Sequence, residues 1–202
     1  MKETLQIAIP CGANSELFVK FLIESIEATA SKEYNIELFL GINMPNVNRK
    51  FLENIKTKYL KKFIVDLSSQ PGTNLGHGQI LDLLFQEMNS KYGMVIDCDT
   101  AFLLKEWDKI LISLLDDKTI IVGTEYELSA NKFMGNPNAI MSMFLVEELK
   151  QAGLSWMPRN CHMAITEENY QIYGRDIGEQ IFLDTSSEIP VCLEKSGLKG
   201  IA

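Results

Sequence analysis

The stretch YGMVIDCDT, residues 92–100, carries most of the information about the fold: a largely apolar run from Tyr92 to Ile96 leads straight into Asp97, Cys98 and Asp99. A short, continuous apolar run bounded by polar residues is the pattern of a strand buried on both faces. Two carboxylates two residues apart, just past such a strand, both sit at the edge of the sheet. There they can share a divalent cation, and the cation can neutralise a diphosphate. Two surface aspartates in a turn fit the same letters, so the flanking sequence has to decide.

Upstream, a first strand spans Leu5 to Ile9 and stops at Pro10, which cannot donate to a ladder. Cys11 to Asn14 form a loop, with Asn14 or Ser15 as N-cap of a helix whose Phe18, Leu22, Ile26 and Ala30 fall four apart. A second strand covers Ile36 to Ile42 and ends in the turn-rich NMPN. Phe51, Ile55 and Tyr59 mark a second helix, and Phe63 to Leu67 a third strand. The loop SSQPGTNLGHG, residues 68–78, precedes a helix carrying Ile80, Leu84 and Met88.

Downstream, Ile110, Leu111, Leu114 and Leu115 predict a helix, and Thr119 to Val122 a strand. Ile140 to Leu145 reads as a strand, and Val146 to Ala152 as a helix stopped by Gly153. The segment WMPRNCHMAITEENYQIYGRD, residues 156–176, has no period and is expected to loop over a site. Trp156 and Met157 are either acceptor-stacking groups or core residues. Helices are expected at Ile177 to Leu183 and at Pro190 to Ser196 before Gly197; LKGIA then begins a strand, leaving a truncated C-terminus open.

Strands alternating with helices predict an α/β protein with a mostly parallel sheet covered on both faces. Such sheets bind ligands outside the carboxyl ends of their strands. Pro10 to Asn14, Asn43, the 68–78 loop and Asp97 to Asp99 should therefore line one edge.

The chain has 202 residues, which predicts one domain, with 46% hydrophobic and 23% charged residues. Its net charge of −8 argues against nucleic acid as a partner, which clustered Lys and Arg would serve. A bound nucleotide remains compatible where metal or backbone N–H groups handle the phosphates. The four cysteines show no zinc-like spacing and read as reduced thiols. The absence of an apolar run long enough for a signal peptide or a transmembrane segment predicts a soluble, cytoplasmic protein.

From Asn74 to Trp107 the chain reads N-L-G-H-G-x(18)-D-C-D-x(7)-W, and Ile9-Pro10 with Asn14 precede it in order. Here it resembles the family 2-like glycosyltransferases, over roughly residues 4–150. Their first strand ends in Pro, an N-x-G loop opens a helix, and a later strand ends in DxD; VGT at 122–124 also falls in place. The resemblance implies the GT-A fold, a Rossmann-like three-layer sandwich with residues 1–124 as the nucleotide-sugar half and 125–202 as the acceptor side. It implies that Asp97 and Asp99 hold Mn²⁺ or Mg²⁺, with Asp97 also near the ribose. Pro10, Asn14, Asn43, Asn74, Gly76 and His77 would line the donor pocket. His77 between two glycines could equally hold its loop. His162 would be an extra metal ligand or a structural histidine. YGRDIGEQIFLD at 173–184 falls where the family carries its catalytic acid, so Asp176, then Glu179, would take the acceptor proton, unless they are helix-start acids.

Two positions depart from the family pattern. LGINMP offers only Asn43 where an acidic residue is usual, and Leu81 or a neighbour replaces a basic one. The expected function is metal-dependent, inverting transfer of a sugar from a nucleoside diphosphate-sugar donor to an acceptor hydroxyl. The competing expectations are a non-catalytic nucleotide-sugar-binding or homo-oligomer-forming module, and a nucleotidyltransferase. The nucleotidyltransferase is disfavoured because PCGANSE has no basic residue for phosphates.

Overall fold

The computed structural model describes residues 2–67, 74–124, 137–157, 159–162, 181–185 and 188–202, with backbone alone at 74–75, 159–162 and 181–184. Expected Asp176 and Glu179 lie outside the described residues.

The sheet grows from its most apolar strands. β1 (Thr4–Cys11), β2 (Asn35–Ile42) and β4 (Tyr92–Ile96) bury nearly every consecutive residue, so both faces of the sheet are covered. β3 (Leu60–Val65), β5 (Thr119–Gly123), β6 (Met141–Leu145) and β9 (Lys199–Ile201) complete seven strands in the order β3-β2-β1-β4-β6-β5-β9. Only β6 runs antiparallel to its neighbours. A separate pair, β7 (Arg159–His162) and β8 (Ile181–Asp184), is antiparallel. The expectation of a mostly parallel α/β sheet holds.

The helices among the described residues are α1 (Glu16–Thr29), α2 (Arg49–Asn54), α3 (Asn74–Glu87), α4 (Trp107–Ile112), α5 (Val146–Gln151) and α6 (Ile189–Ser196). None of them is long and apolar enough to cross a membrane. α5 and α6 run into Gly153 and Gly197 with φ of 77° and 67°, a left-handed stop only glycine takes cheaply, as their positions predicted.

Several expectations need correction. α1 buries Val19, Leu22, Ile23 and Ile26, whereas Phe18 is 53% exposed and Ala30 lies past the helix. The true stripe follows the i, i+3, i+4, i+7 rule, which a four-residue ladder approximates poorly. α2 ends at Asn54, so Ile55 and Tyr59 lie outside it. The Lys61 ammonium donates to the carbonyls of Leu52, Glu53 and Ile55, each at 2.8 Å, and fastens that helix end. β3 begins earlier than expected and leaves Leu67 exposed, because an edge strand lacks the buried run that marks a central one. α4 turns Trp107, Asp108 and Ile112 inward and leaves Ile110 and Leu114 exposed. The helix expected over Ile177 to Leu183 is contradicted at its C-terminal part, since Ile181–Asp184 pairs as a strand with Arg159–His162.

Gly93 in β4 sits beneath tightly packed side chains: a Cβ there would lie 2.4 Å from the Phe144 ring and 2.8 Å from Val146. At Gly12, by contrast, a Cβ would meet nothing within 4 Å. Gly93→Ala should therefore cost about 1–3 kcal/mol of unfolding free energy, and Gly12→Ala close to nothing. Urea titrations of the two variants side by side check this difference.

Candidate functional site

Because β1, β2, β3, β4 and β5 run parallel, their carboxyl ends meet at one edge, and the polar residues predicted to converge do so there. The backbone of the aspartate loop is fixed first. Asp97 N–H donates to the Ile140 carbonyl at 2.8 Å, tying the loop to the start of β6. The Asp97 carbonyl in turn accepts from Thr100 N–H at 3.2 Å and from its hydroxyl at 2.5 Å, closing a tight turn. These bonds leave both carboxylates available. Asp97 is 30% exposed at its side chain, and Asp99 is exposed.

Cys98 points between them into the β1 loop, where it interacts with the Ser15 hydroxyl and the Gly12 backbone. Burial, then the charges of Asp99 and Asp97, push its thiol pKa up, so it stays protonated. Cys11, buried at the end of β1, is pushed up still further by burial, with Cys98 and Glu16 adding to it. Ser15 is the N-cap position of α1, yet its hydroxyl donates to Gly12 O at 2.7 Å rather than capping the helix. Asn14 adopts φ 58° and stands exposed at the loop tip, while Pro10 is buried within β1.

α3 delivers the third group. His77 Nε2 lies 3.4 Å from Asp97 Oδ1, which brings the first turn of α3 against the aspartate loop. Asn43, buried at the end of β2, donates its Nδ2–H to the Gly76 carbonyl at 3.0 Å. Asn74 opens α3 at the same edge. Asn43 is thus joined to Gly76 and His77 to Asp97, while Pro10, Asn14 and Asp99 lie at the carboxyl ends of β1 and β4 and take no part in those two contacts. His162 ends β7, where it pairs with Ile181 of β8, and its side chain lies outside the described residues.

Sequence reasoning missed further residues at this edge. Met44 sulfur accepts from Ala13 N–H at 3.2 Å, and Gln79 donates to Asp66 at 2.7 Å, joining α3 to the end of β3. Asn138, fully buried, accepts from Thr124 hydroxyl and Ile140 N–H and holds β5 to the start of β6. No periodicity marks these residues; only the strand order brings them together. Trp156 is settled as core: it is fully buried against Phe85 and Phe144, and its backbone N–H and the Ser155 hydroxyl both donate to Asp82. Trp107 is likewise buried, stacked on Phe102 at 3.7 Å.

Among the described residues, no three His, Cys, Asp or Glu side chains cluster closely enough to hold a metal ion by themselves. The donor set still suits a hard divalent cation, because two carboxylates at a polar edge supply oxygen ligands and leave positions for a ligand's own oxygens.

No family model matches the chain, and no curated protein matches it by sequence. Solved structures do match it by shape. The mannosyltransferase PcManGT from Pyrobaculum calidifontis, in complex with GDP-Man and Mn²⁺, aligns over 100% of this chain with a TM-score of 0.66 at 11% identity. S. aureus TarS 1–349 in complex with UDP-GlcNAc aligns over 84% with a TM-score of 0.57 at 14% identity. M. tuberculosis glucosyl-3-phosphoglycerate synthase aligns over 73% with a TM-score of 0.52 at 12% identity. The chain spans 55%, 52% and 58% of those three structures. Its fold is the GT-A fold of nucleotide-diphospho-sugar transferases.

The Asn43–Gly76 bond predicts how this edge responds to restoring an acid. Asn43→Asp removes the donor and sets a buried carboxylate against the Gly76 carbonyl, so stability at neutral pH should fall by about 1–3 kcal/mol. Chemical denaturation at pH 7 reads the loss. An unchanged midpoint would mean that the side chain does not hold the start of α3.

Proposed function

We propose that this chain binds a nucleoside diphosphate-sugar at the carboxyl edge of its sheet and transfers the sugar to an acceptor hydroxyl, with inversion at the anomeric carbon. The observation that supports this best is the meeting of Asp97 and Asp99 with the N-terminal turn of α3, through the 3.4 Å His77–Asp97 contact. A helix N-terminus presents free N–H groups and a partial positive charge to phosphate oxygens. Pro10 to Asn14 and Asn43 would wall the nucleotide, and Asn74, Gly76 and His77 the phosphates. The His77 imidazole, beside Asp97, would help orient it while Asp99 faces the ligand.

Asp97 and Asp99 would hold Mn²⁺ or Mg²⁺, which when bound offsets the diphosphate charge; His162 is a third candidate ligand. The acceptor oxygen attacks the anomeric carbon, its proton passes to Asp176, or failing that Glu179, and the bond to the nucleoside diphosphate breaks. Free thiols at Cys11, Cys98 and Cys192 suit a cytoplasmic setting. Residues 1–124 would serve the donor and 125–202 the acceptor.

Calorimetry with nucleoside diphosphates tests the cation independently of turnover. Asp99→Ala, or chelation of the wild type, should weaken nucleotide affinity roughly ten- to hundredfold, as for loss of a charged contact. Unchanged affinity in both experiments would remove the cation from the site.

Asp176→Asn should retain donor affinity and stability but lose about 10² to 10⁴-fold in turnover, with Glu179→Gln as the matched control. Loss in the Glu179 variant alone would move the base there. A wild-type chain that binds donor yet turns over no acceptor would instead be a binding module.

A further inference from the structure

The amino end of the same sheet carries a second polar site with the opposite charge. A cavity of about 350 Å³ opens there, lined by Lys2, Lys32, Lys58, Tyr34, Tyr59 and the start of β2 at Asn35. That volume lies within the usual range for a small ligand. None of the three lysines has a carboxylate within 4.0 Å among the described residues, whereas Lys20, Lys62, Lys91 and Lys109 are all paired.

The three lysines lean on neutral partners instead. Lys2 donates to the Lys32 carbonyl at 2.5 Å, and Lys58 stands 5.0 Å over the Tyr59 ring. Neither contact cancels a charge. Lys32 also holds φ 69°, an uncommon conformation for a residue with a Cβ. The carboxylates felt by the two tyrosines, Glu3, Glu27, Glu33 and Asp108, do not line the cavity and are already committed, Glu3 to Lys91 and Glu33 to Lys109. Glu27 accepts from the Thr57 hydroxyl and Lys58 N–H, and Asp108, fully buried, from Ser31 N–H and hydroxyl. Burial leads the causes that raise both tyrosine pKa values, Tyr59 to about 12, so their hydroxyls remain proton donors.

We propose that this cavity binds the phosphate group of a small phosphorylated molecule, at the sheet edge opposite the aspartate loop. Three ammonium groups with no directly paired carboxylate around one cavity can engage a dianion together, and two tyrosine hydroxyls add donors. Binding there would not compete with a nucleotide at Asp97 and Asp99, because the sheet separates the two edges.

The probe is inorganic phosphate, titrated calorimetrically at low ionic strength with a chelator present, against a chloride control of equal ionic strength. Wild type should bind saturably, and Lys32→Glu/Lys58→Glu should weaken binding by about tenfold or more. Tyr59→Phe should cause a smaller loss, and Asp99→Ala none. All three lysines are exposed, so the charge reversals should leave the unfolding midpoint in place; Lys32→Gln/Lys58→Gln gives the same test if they do not. The proposal is overturned if phosphate binds no better than chloride, or if binding survives loss of the lysines and disappears with Asp99.

Discussion

A parallel sheet buried on both faces spends its backbone polar groups on the ladder and its side chains on apolar packing, so ligand chemistry has room only where strands end. β1, β2 and β4 impose this constraint here. Leu5, Ile7, Ile9, Leu38, Leu40, Met94 and Val95 are fully buried, and the in-register pairing of β1 with β2 and β4 brings Cys11, Ile42 and Ile96 to one edge. Asn43, Asp97 and Asp99 follow such ends closely, and α3 brings His77 to the same edge. The one polar side chain buried deep in β1, Gln6, is satisfied by Glu37 and Asn89 and by the N–H groups of Asn89 and Ser90. It fastens the chain's entry into β4 and takes no part at the carboxyl edge.

The legible part of the sequence was the part governed by that constraint. Buried parallel strands are continuous apolar runs, and β4, β5 and β6 appeared with at most a residue of error at either end. Short helices offered no such redundancy. α2 and α4 each have six residues, too few for a stripe to repeat, and the apolar residues flanking them belonged to loops. β3 at the sheet edge lost its alternation to exposure. Where β8 lies, the letters IFLD suit a helix or a strand equally, and only pairing with a distant segment decides between them.

The site divided in the same way. Asp97 and Asp99 were readable because they follow a strand directly, and Asn43 because it follows another. Thr124 with Asn138 was invisible, because the bond joins residues brought together by β6 running antiparallel between β4 and β5. Ser15 illustrates a different limit. Its type and position predicted a helix cap, but its hydroxyl is turned to donate to the Gly12 carbonyl, and its oxygen accepts no N–H from the first turn. Local propensity named the residue correctly and tertiary contact chose its partner.

The same bonds fix the backbone of the aspartate loop. Four independent elements hold it: β6 through Ile140, the Thr100 turn, the β1 loop through Cys98, and α3 through His77. Three of those contacts engage backbone or the intervening thiol, and the fourth engages only one oxygen of Asp97. Two carboxylates with their backbone already fixed would lose little conformational freedom on meeting a cation, so more of the interaction energy would appear as affinity. Cys98 suits the position between them because a half-buried, protonated thiol fills space against Gly12 and Ser15 without adding a third negative charge. An acid there would crowd the pair with repulsion, and a larger apolar residue would push apart the loops that the thiol now joins.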